Sequence, residues 1–288
     1  MHRQFIGMQK LCRGIASGTL AVATFAGLMV GNARVSLAQS PPRTPSAATQ
    51  PNFAPSTPST AAIVQNLMAA NARRAAALHA YQSKRVYNLE YTGLFGGRAE
   101  MEVEATYRAP NEKNFKVVSQ SGSKLLIREV LMKLLQSERE AQEERNRKAL
   151  EISPANYDFN LESTQHTPDG DFYVLAVKPK SKNKYVYKGK IWIDARDFAI
   201  TRMEGSPASN PSFWVKNVEV QYQWSKIGGF WLPVRTDTVT NVRMGGRATL
   251  NITYSDYQIT GGNQPSNKTA EKNPVLPDPS SLTLQPHF

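Results

Sequence analysis

The chain has 288 residues, a formal net charge of +12 and a single cysteine, Cys12. That length allows one large or two small domains. One cysteine excludes a disulfide framework and a thiolate metal site, and positive charge scattered along the sequence does not make a nucleic-acid-binding face.

Residues 1–38 carry Arg3, Lys10, Arg13 and Arg34, no acidic residue, and an apolar run from Ile15 to Val30. Ser36-Leu37-Ala38 ahead of Gln39 puts small residues where a signal peptidase reads. The pattern predicts a secretory signal peptide cleaved near Ala38 and a periplasmic protein. The alternative is an N-terminal membrane anchor with the rest facing the periplasm, because the apolar run approaches spanning length. Cys12 precedes the apolar run, whereas a lipoprotein acceptor cysteine would follow it. Without the four cations of this segment the net charge is +8, and no cysteine is left. Residues 39–59, rich in Pro, Ser and Thr, predict a disordered linker. The folded domain is expected over 60–260, followed by a disordered tail over 261–288.

A helix is expected from Thr60 to about Lys84, capped by Ser59 or Thr60, with Ile63, Leu67, Ala70, Leu78 and Tyr81 on one face. Strands follow. Tyr87, Leu89 and Tyr91 alternate with polar residues, and after the Gly96-Gly97 turn so do Met101, Val103, Ala105 and Tyr107. This period of two marks strands with one apolar face. Asn114 to Ser119 completes a meander.

Ser123 to about Ala149 predicts a second helix with unlike halves. Eight of the eleven residues from Leu125 to Leu135 are apolar, whereas Ser137 to Glu151 is charged and polar. The first half requires cover and the second is expected to face water. One arrangement that fits is a lid over a β container; the other is a helix on an ordinary core with an overhanging end. Further strands are expected over Tyr157–Gln165, Phe172–Pro179 and Lys184–Asp194. Lysines 178, 180, 182, 184, 188 and 190 fall on this last hairpin and read as a solvated tip or a lipid-headgroup or partner patch.

From Gly189 to Tyr257 the chain reads as successive antiparallel strands. Asp194-Ala195-Arg196-Asp197, Gly228-Gly229 and Gly245-Gly246 supply the turns. The expected class is therefore mainly β (α+β), a single curved antiparallel sheet of about ten strands with two helices against it.

No catalytic constellation emerges. His79 and His166 lack metal-ligand spacing, no Gly-x-Ser-x-Gly occurs, and Asp194 and Asp197 read as turn residues rather than an acid–base pair. No enzyme activity, metal or cofactor is expected.

Gly189 to Gly205 (GKIWIDARDFAITRMEG) and Gly228 to Pro233 (GGFWLP) resemble the outer-membrane lipoprotein-sorting proteins of the LolA-like superfamily. The resemblance covers about Ile63 to Tyr257. It implies an incomplete β-barrel, an open antiparallel half-barrel with helices covering the concave face, around a hydrophobic cavity for acyl chains. It also implies an arginine that hydrogen-bonds the lid, a role assigned to no particular arginine here. The expected function is that of a periplasmic carrier, a transport chaperone that moves lipid or lipoprotein acyl chains towards the outer membrane. A periplasmic sensor or protein-interaction module of the same fold is the alternative. Expected partners are lipid or lipoprotein acyl chains and a membrane-associated donor or acceptor protein, without nucleic acid. The apolar faces nominate Leu89, Tyr91, Met101, Val103, Trp214, Val218, Leu250 and Ile252 as cavity lining, and Leu131, Leu134 and Leu135 as lid.

Overall fold

The computed structural model describes residues 57–261 apart from 94–95, 142–147, 149, 183–185, 211–212, 214 and 244. Residues 1–38, most of the linker, the tail beyond Gly261, Lys184 and the proposed lining residue Trp214 therefore lie outside the described residues.

Helix α1 (Thr60–Ala77) starts where Ser59 Oγ accepts a hydrogen bond from the Ala62 N–H. Such a cap satisfies one of the amides that a helix N-terminus leaves open. Ile63, Val64, Leu67 and Ala70 form its buried stripe. Both ends are tied to the sheet. Thr60 Oγ1 accepts from the Leu161 N–H, and the Arg74 guanidinium donates to the carbonyls of Asp197 and Phe198.

Three strands come next: β1 (Ala80–Thr92), β2 (Gly97–Arg108) and β3 (Glu112–Gly122). A continuous helical segment follows, made of α2 (Lys124–Leu126), a π-helical turn (Ile127–Leu131) and α3 (Met132–Ala141). Seven more strands complete the domain: β4 (Tyr157–Thr167), β5 (Gly170–Pro179), β6 (Tyr187–Asp194), β7 (Ile200–Pro207), β8 (Val215–Ile227), β9 (Phe230–Val242) and β10 (Arg247–Thr260).

All ten strands belong to one antiparallel sheet in the order β3-β2-β1-β10-β9-β8-β7-β6-β5-β4. It is an open half-barrel. Every sequence-adjacent pair is a neighbour except β3 and β4, which form the two edges, so the helical segment between them must cross from one edge to the other. The first and last strands pair inside the sheet, third and fourth from the β3 edge, with Leu89 opposite Leu250 and Tyr87 opposite Ile252. Both helices deliver buried residues to one core on the inner face of this sheet.

Two boundaries differ from expectation. The first helix ends at Ala77 rather than near Lys84, and Tyr81 to Lys84 belong to β1. Buried and less buried positions alternate from Tyr81 through Ser83, Arg85, Tyr87 and Leu89 to Tyr91. A residue period of two commits this stretch to a strand whatever its helix propensity. The second difference lies in the stretch 137–151, expected to face water. Ser137, Glu138, Ala141 and Leu150 are buried, for reasons given below.

The glycines that end the Gly189–Gly205 motif sit opposite each other across β6 and β7. A Cβ at Gly205 would stand 2.3 Å from the Lys188 carbonyl oxygen, a backbone atom that cannot step aside. Gly205→Ala is therefore expected to destabilise the fold by about 1–3 kcal/mol, the usual range for overpacking. A drop in the urea midpoint at unchanged m-value would record it.

Candidate functional site

Successive strand residues point to opposite faces, so register decides which side chains meet. On the inner face β1 presents Tyr87, Leu89 and Tyr91, β2 Met101 and Val103, β10 Leu250 and Ile252, and β8 Val218. All are buried. Every described lining candidate belongs to the same contiguous core as Leu131, Leu134 and Leu135 of the helical segment. Leu131 and Leu134 are wholly buried, each burial worth roughly 1.5–3 kcal/mol relative to exposure. The structure thus brings the residues nominated as wall and those nominated as lid into one packed core.

The same face carries polar groups that apolar patterning passes over. Glu138, on α3, is 2 % exposed. Its Oε2 lies 2.9 Å from Arg85 Nη1 of β1, and its Oε1 lies 3.2 Å from Lys113 Nζ of β3. This three-residue cluster explains why the charged half of the helix turns inward. A carboxylate enters an apolar interior only when paired and hydrogen-bonded. Arg85 also stands 5.0 Å from the ring centre of Phe115 and 5.2 Å from that of Tyr254, within cation–π range. Burial works to raise the Glu138 carboxyl, yet Arg85 and Lys113 hold it below the usual carboxylate range. Burial is the largest influence on Arg85 and opposes its charge, but Glu138 together with Tyr87, Tyr254 and Tyr81 more than offsets it and keeps the guanidinium well above its ordinary value. Tyr87, deeply buried beside them, is pushed up to about 12 by desolvation and stays neutral.

Strand β9 adds a row of threonines. Thr236, Thr238 and Thr240 are buried between β8 and β10, opposite Tyr222, Val220 and Val218 on one side and Ile252, Leu250 and Ala248 on the other. Thr236 Oγ1 lies 3.2 Å from the Tyr254 hydroxyl. The hydroxyls of Thr238 and Thr240 have no hydrogen-bond partner among the described residues.

Sequence reasoning missed Arg85, Lys113, Glu138 and the threonines because each interrupts an apolar pattern. A signal was available for two of them. Running the alternation of Tyr87, Leu89 and Tyr91 backwards places Arg85 inward, and running that of Phe115 and Val117 backwards does the same for Lys113.

Residues singled out for possible chemistry have other duties. Asp194 Oδ1 accepts from the backbone N–H groups of Arg196 and Asp197. Asp197 Oδ2 accepts from Trp231 Nε1 and pairs with Lys226, so both aspartates hold the β6–β7 turn. His166 Nδ1 meets Asp171 Oδ1 at 2.7 Å on an exposed hairpin. Of the lysine run, Lys190 pairs with Glu162 and Lys180 with Asp158. No group of three or more His, Cys, Asp or Glu among the described residues is placed to hold a metal ion. No helix among them is long and apolar enough to cross a membrane.

Residues 151–257 match a family model described as a family of unknown function (DUF5686). A search of curated proteins returns no match. Among solved structures, the chain is similar to a LolA superfamily protein from Nitrosomonas europaea, with 12 % identity over 71 % of this chain and 94 % of that one and a TM-score of 0.35. It is similar to a putative outer membrane lipoprotein-sorting protein domain from Vibrio parahaemolyticus, with 13 % identity over 70 % and 93 % of the two chains and a TM-score of 0.35. It is also similar to the MucA/MucB complex of Pseudomonas aeruginosa, with 10 % identity over 68 % and 93 % and a TM-score of 0.22. The first is named for the LolA superfamily and the second for outer-membrane lipoprotein sorting. At such identities and scores the fold is defined by the sheet order and register above, and no activity is carried over.

Removing Glu138 leaves two buried cations without their carboxylate, so Glu138→Gln is expected to cost about 3–5 kcal/mol at neutral pH. A carboxyl whose folded pKa lies below its unfolded one adds stability above the unfolded value, about 4.3 for glutamate. It loses that contribution as the pH falls through the folded value. The difference between wild type and Glu138→Gln in urea unfolding should therefore be full at pH 7 and shrink as the pH drops below about 4.

Proposed function

We propose that the protein is an exported, periplasmic carrier that binds acyl chains of lipid or lipoprotein between the inner face of its sheet and the α2–α3 segment, for transfer towards the outer membrane. The observation that carries this reading is the shared core of wall and lid. Leu131, Leu134 and Leu135 pack on the face that offers Leu89, Met101, Val103, Leu250 and Ile252. Lifting that segment would bare a continuous apolar surface, and an alkyl chain taking its place recovers ~0.8 kcal/mol per CH₂.

Two further features support the reading. The lid segment is interrupted by a π-helical turn at Ile127–Leu131, an irregularity often found at functional sites. Its far end is held by ion pairs from Glu138 to Arg85 and Lys113, an arrangement in line with the lid-bonding arginine that the sequence resemblance implies. On this reading the protein binds rather than catalyses, it needs no cofactor, and the N-terminal signal delivers it across the inner membrane. A membrane-associated donor and acceptor would load and unload it.

The test is to express the mature chain from Gln39 in the periplasm and identify copurifying lipids by mass spectrometry, then to strip the protein and titrate in a fluorescent long-chain fatty acid. Bound acyl chains and saturable uptake are expected. A protein that neither carries nor takes up acyl chains overturns the carrier reading and leaves the interaction-module alternative. Leu134→Ala should destabilise the lipid-free protein by about 2–5 kcal/mol, the range for truncating a buried leucine, as measured by thermal unfolding of the stripped protein.

A further inference from the structure

Among the described residues, the buried cluster on the inner face sets two cations against one carboxylate. Arg85 and Lys113 are both buried, and the structure sets the one carboxylate of Glu138 against the two of them. Desolvating an ion is costly unless its charge and hydrogen bonds are met in full, and here they are met in part. Arg85 Nε has no hydrogen-bond partner among the described residues, and neither does Ser83 Oγ, two residues earlier on the same buried face of β1. The Tyr254 ring beside Arg85 leads by its hydroxyl to Thr236, and the unpartnered hydroxyls of Thr238 and Thr240 continue the row along β9.

The helix that meets this face has a matching order of groups. Leu131, Leu134, Leu135 and Glu138 recur at intervals of three and four and so lie on one side of the helix. That side runs from hydrocarbon to carboxylate. On β1 the wall runs likewise from Leu89 and Tyr91, through Tyr87, to Arg85. The helix therefore presents to the sheet an apolar stretch ending in an anion, with both carboxylate oxygens taken up by cations.

We propose that Arg85 and Lys113 form a head-group site, that the cargo is an amphiphile with an acyl chain and an anionic head (a carboxylate or a phosphate monoester), and that Glu138 fills the site when the helix is closed. The inference rests on the carrier reading and names its cargo class. A cargo carboxylate or phosphate displaces Glu138 from Arg85 and Lys113 while its chain displaces the lid leucines, so head and tail enter as one exchange. Neutral amphiphiles make only the second half of that exchange and leave the two cations without a counter-charge once the lid lifts. A phosphate head, with more oxygens than Glu138 offers, would also reach the idle Arg85 Nε.

The experiment is calorimetric titration of the stripped mature chain with oleate, oleyl phosphate, methyl oleate and inorganic phosphate. Oleate or oleyl phosphate is expected to bind about tenfold or more tightly than methyl oleate, and inorganic phosphate far more weakly than either. Whichever of the two anionic heads binds more tightly identifies the head. Glu138→Gln should tighten the anionic ligands more than the ester, and Lys113→Met should narrow the preference. The wild-type comparison decides even if either variant fails to fold. Equal affinity for oleate and methyl oleate overturns the head-group site while leaving the carrier reading intact. Binding of inorganic phosphate as tightly as oleate makes it a free-anion site and overturns the amphiphile. Binding of none of the four overturns both.

Discussion

A carboxylate can be taken into an apolar interior only if charge meets it there, and this constraint organises the inner side of the half-barrel. Glu138 brings α3 against the sheet, but only with Arg85 already on β1 and Lys113 on β3 to receive it. These residues come from three elements, so the contact fixes how the helix lies across the first half of the sheet. Leucines alone would hold the helix down without fixing its orientation, because hydrophobic burial is non-directional. The ion pairs add direction, and they make lifting the helix a matter of separating charges as well as uncovering hydrocarbon.

The sheet order gives this contact its reach. Because β3 and β4 are the two edges, the chain between them must travel across the inner face. The α2–α3 segment is thus part of the crossover connection. Its two anchors lie on neighbouring parts of the meander, with β2 supplying Met101 and Val103 between β1 and β3. Helix α1 serves the opposite half, pinned at Leu161 and at the β6–β7 turn. Both helices bond to the sheet backbone, the α2–α3 segment through the Ser123 N–H to the Arg98 carbonyl and through Arg139 to the Phe115 carbonyl, and that segment adds the buried ion pairs of Glu138.

Much of the architecture could be read in advance, and particular residues show why. Glycines at 96–97, 228–229 and 245–246 separate runs with a period of two, and such runs have few ways to pair except as hairpins. Leu125 to Leu135 announced a helix needing cover on most sides. The errors share a cause. The expected helix runs to Lys84 because Leu78 and Tyr81 continue a period of 3.6. Ser137 to Glu151 was assigned to water because a local pattern treats every charge as solvated.

The sequence by itself determined the strands, their number, the turns between them and the apolar faces of wall and lid, since these follow from side-chain periodicity and from the backbone freedom of glycine. Its composition predicts a leader, a linker and a tail, which fall almost wholly outside the described residues. Only the tertiary structure decided that β1 pairs with β10, that the two edges are β3 and β4, and that Glu138, Arg85 and Lys113 meet in the interior. Residues 85, 113 and 138 are far apart in the chain, and the free energy of a buried charge depends on which opposite charge lies within a few ångströms. Local pattern carries no such information; it exists only once the sheet is assembled and the helix has crossed it.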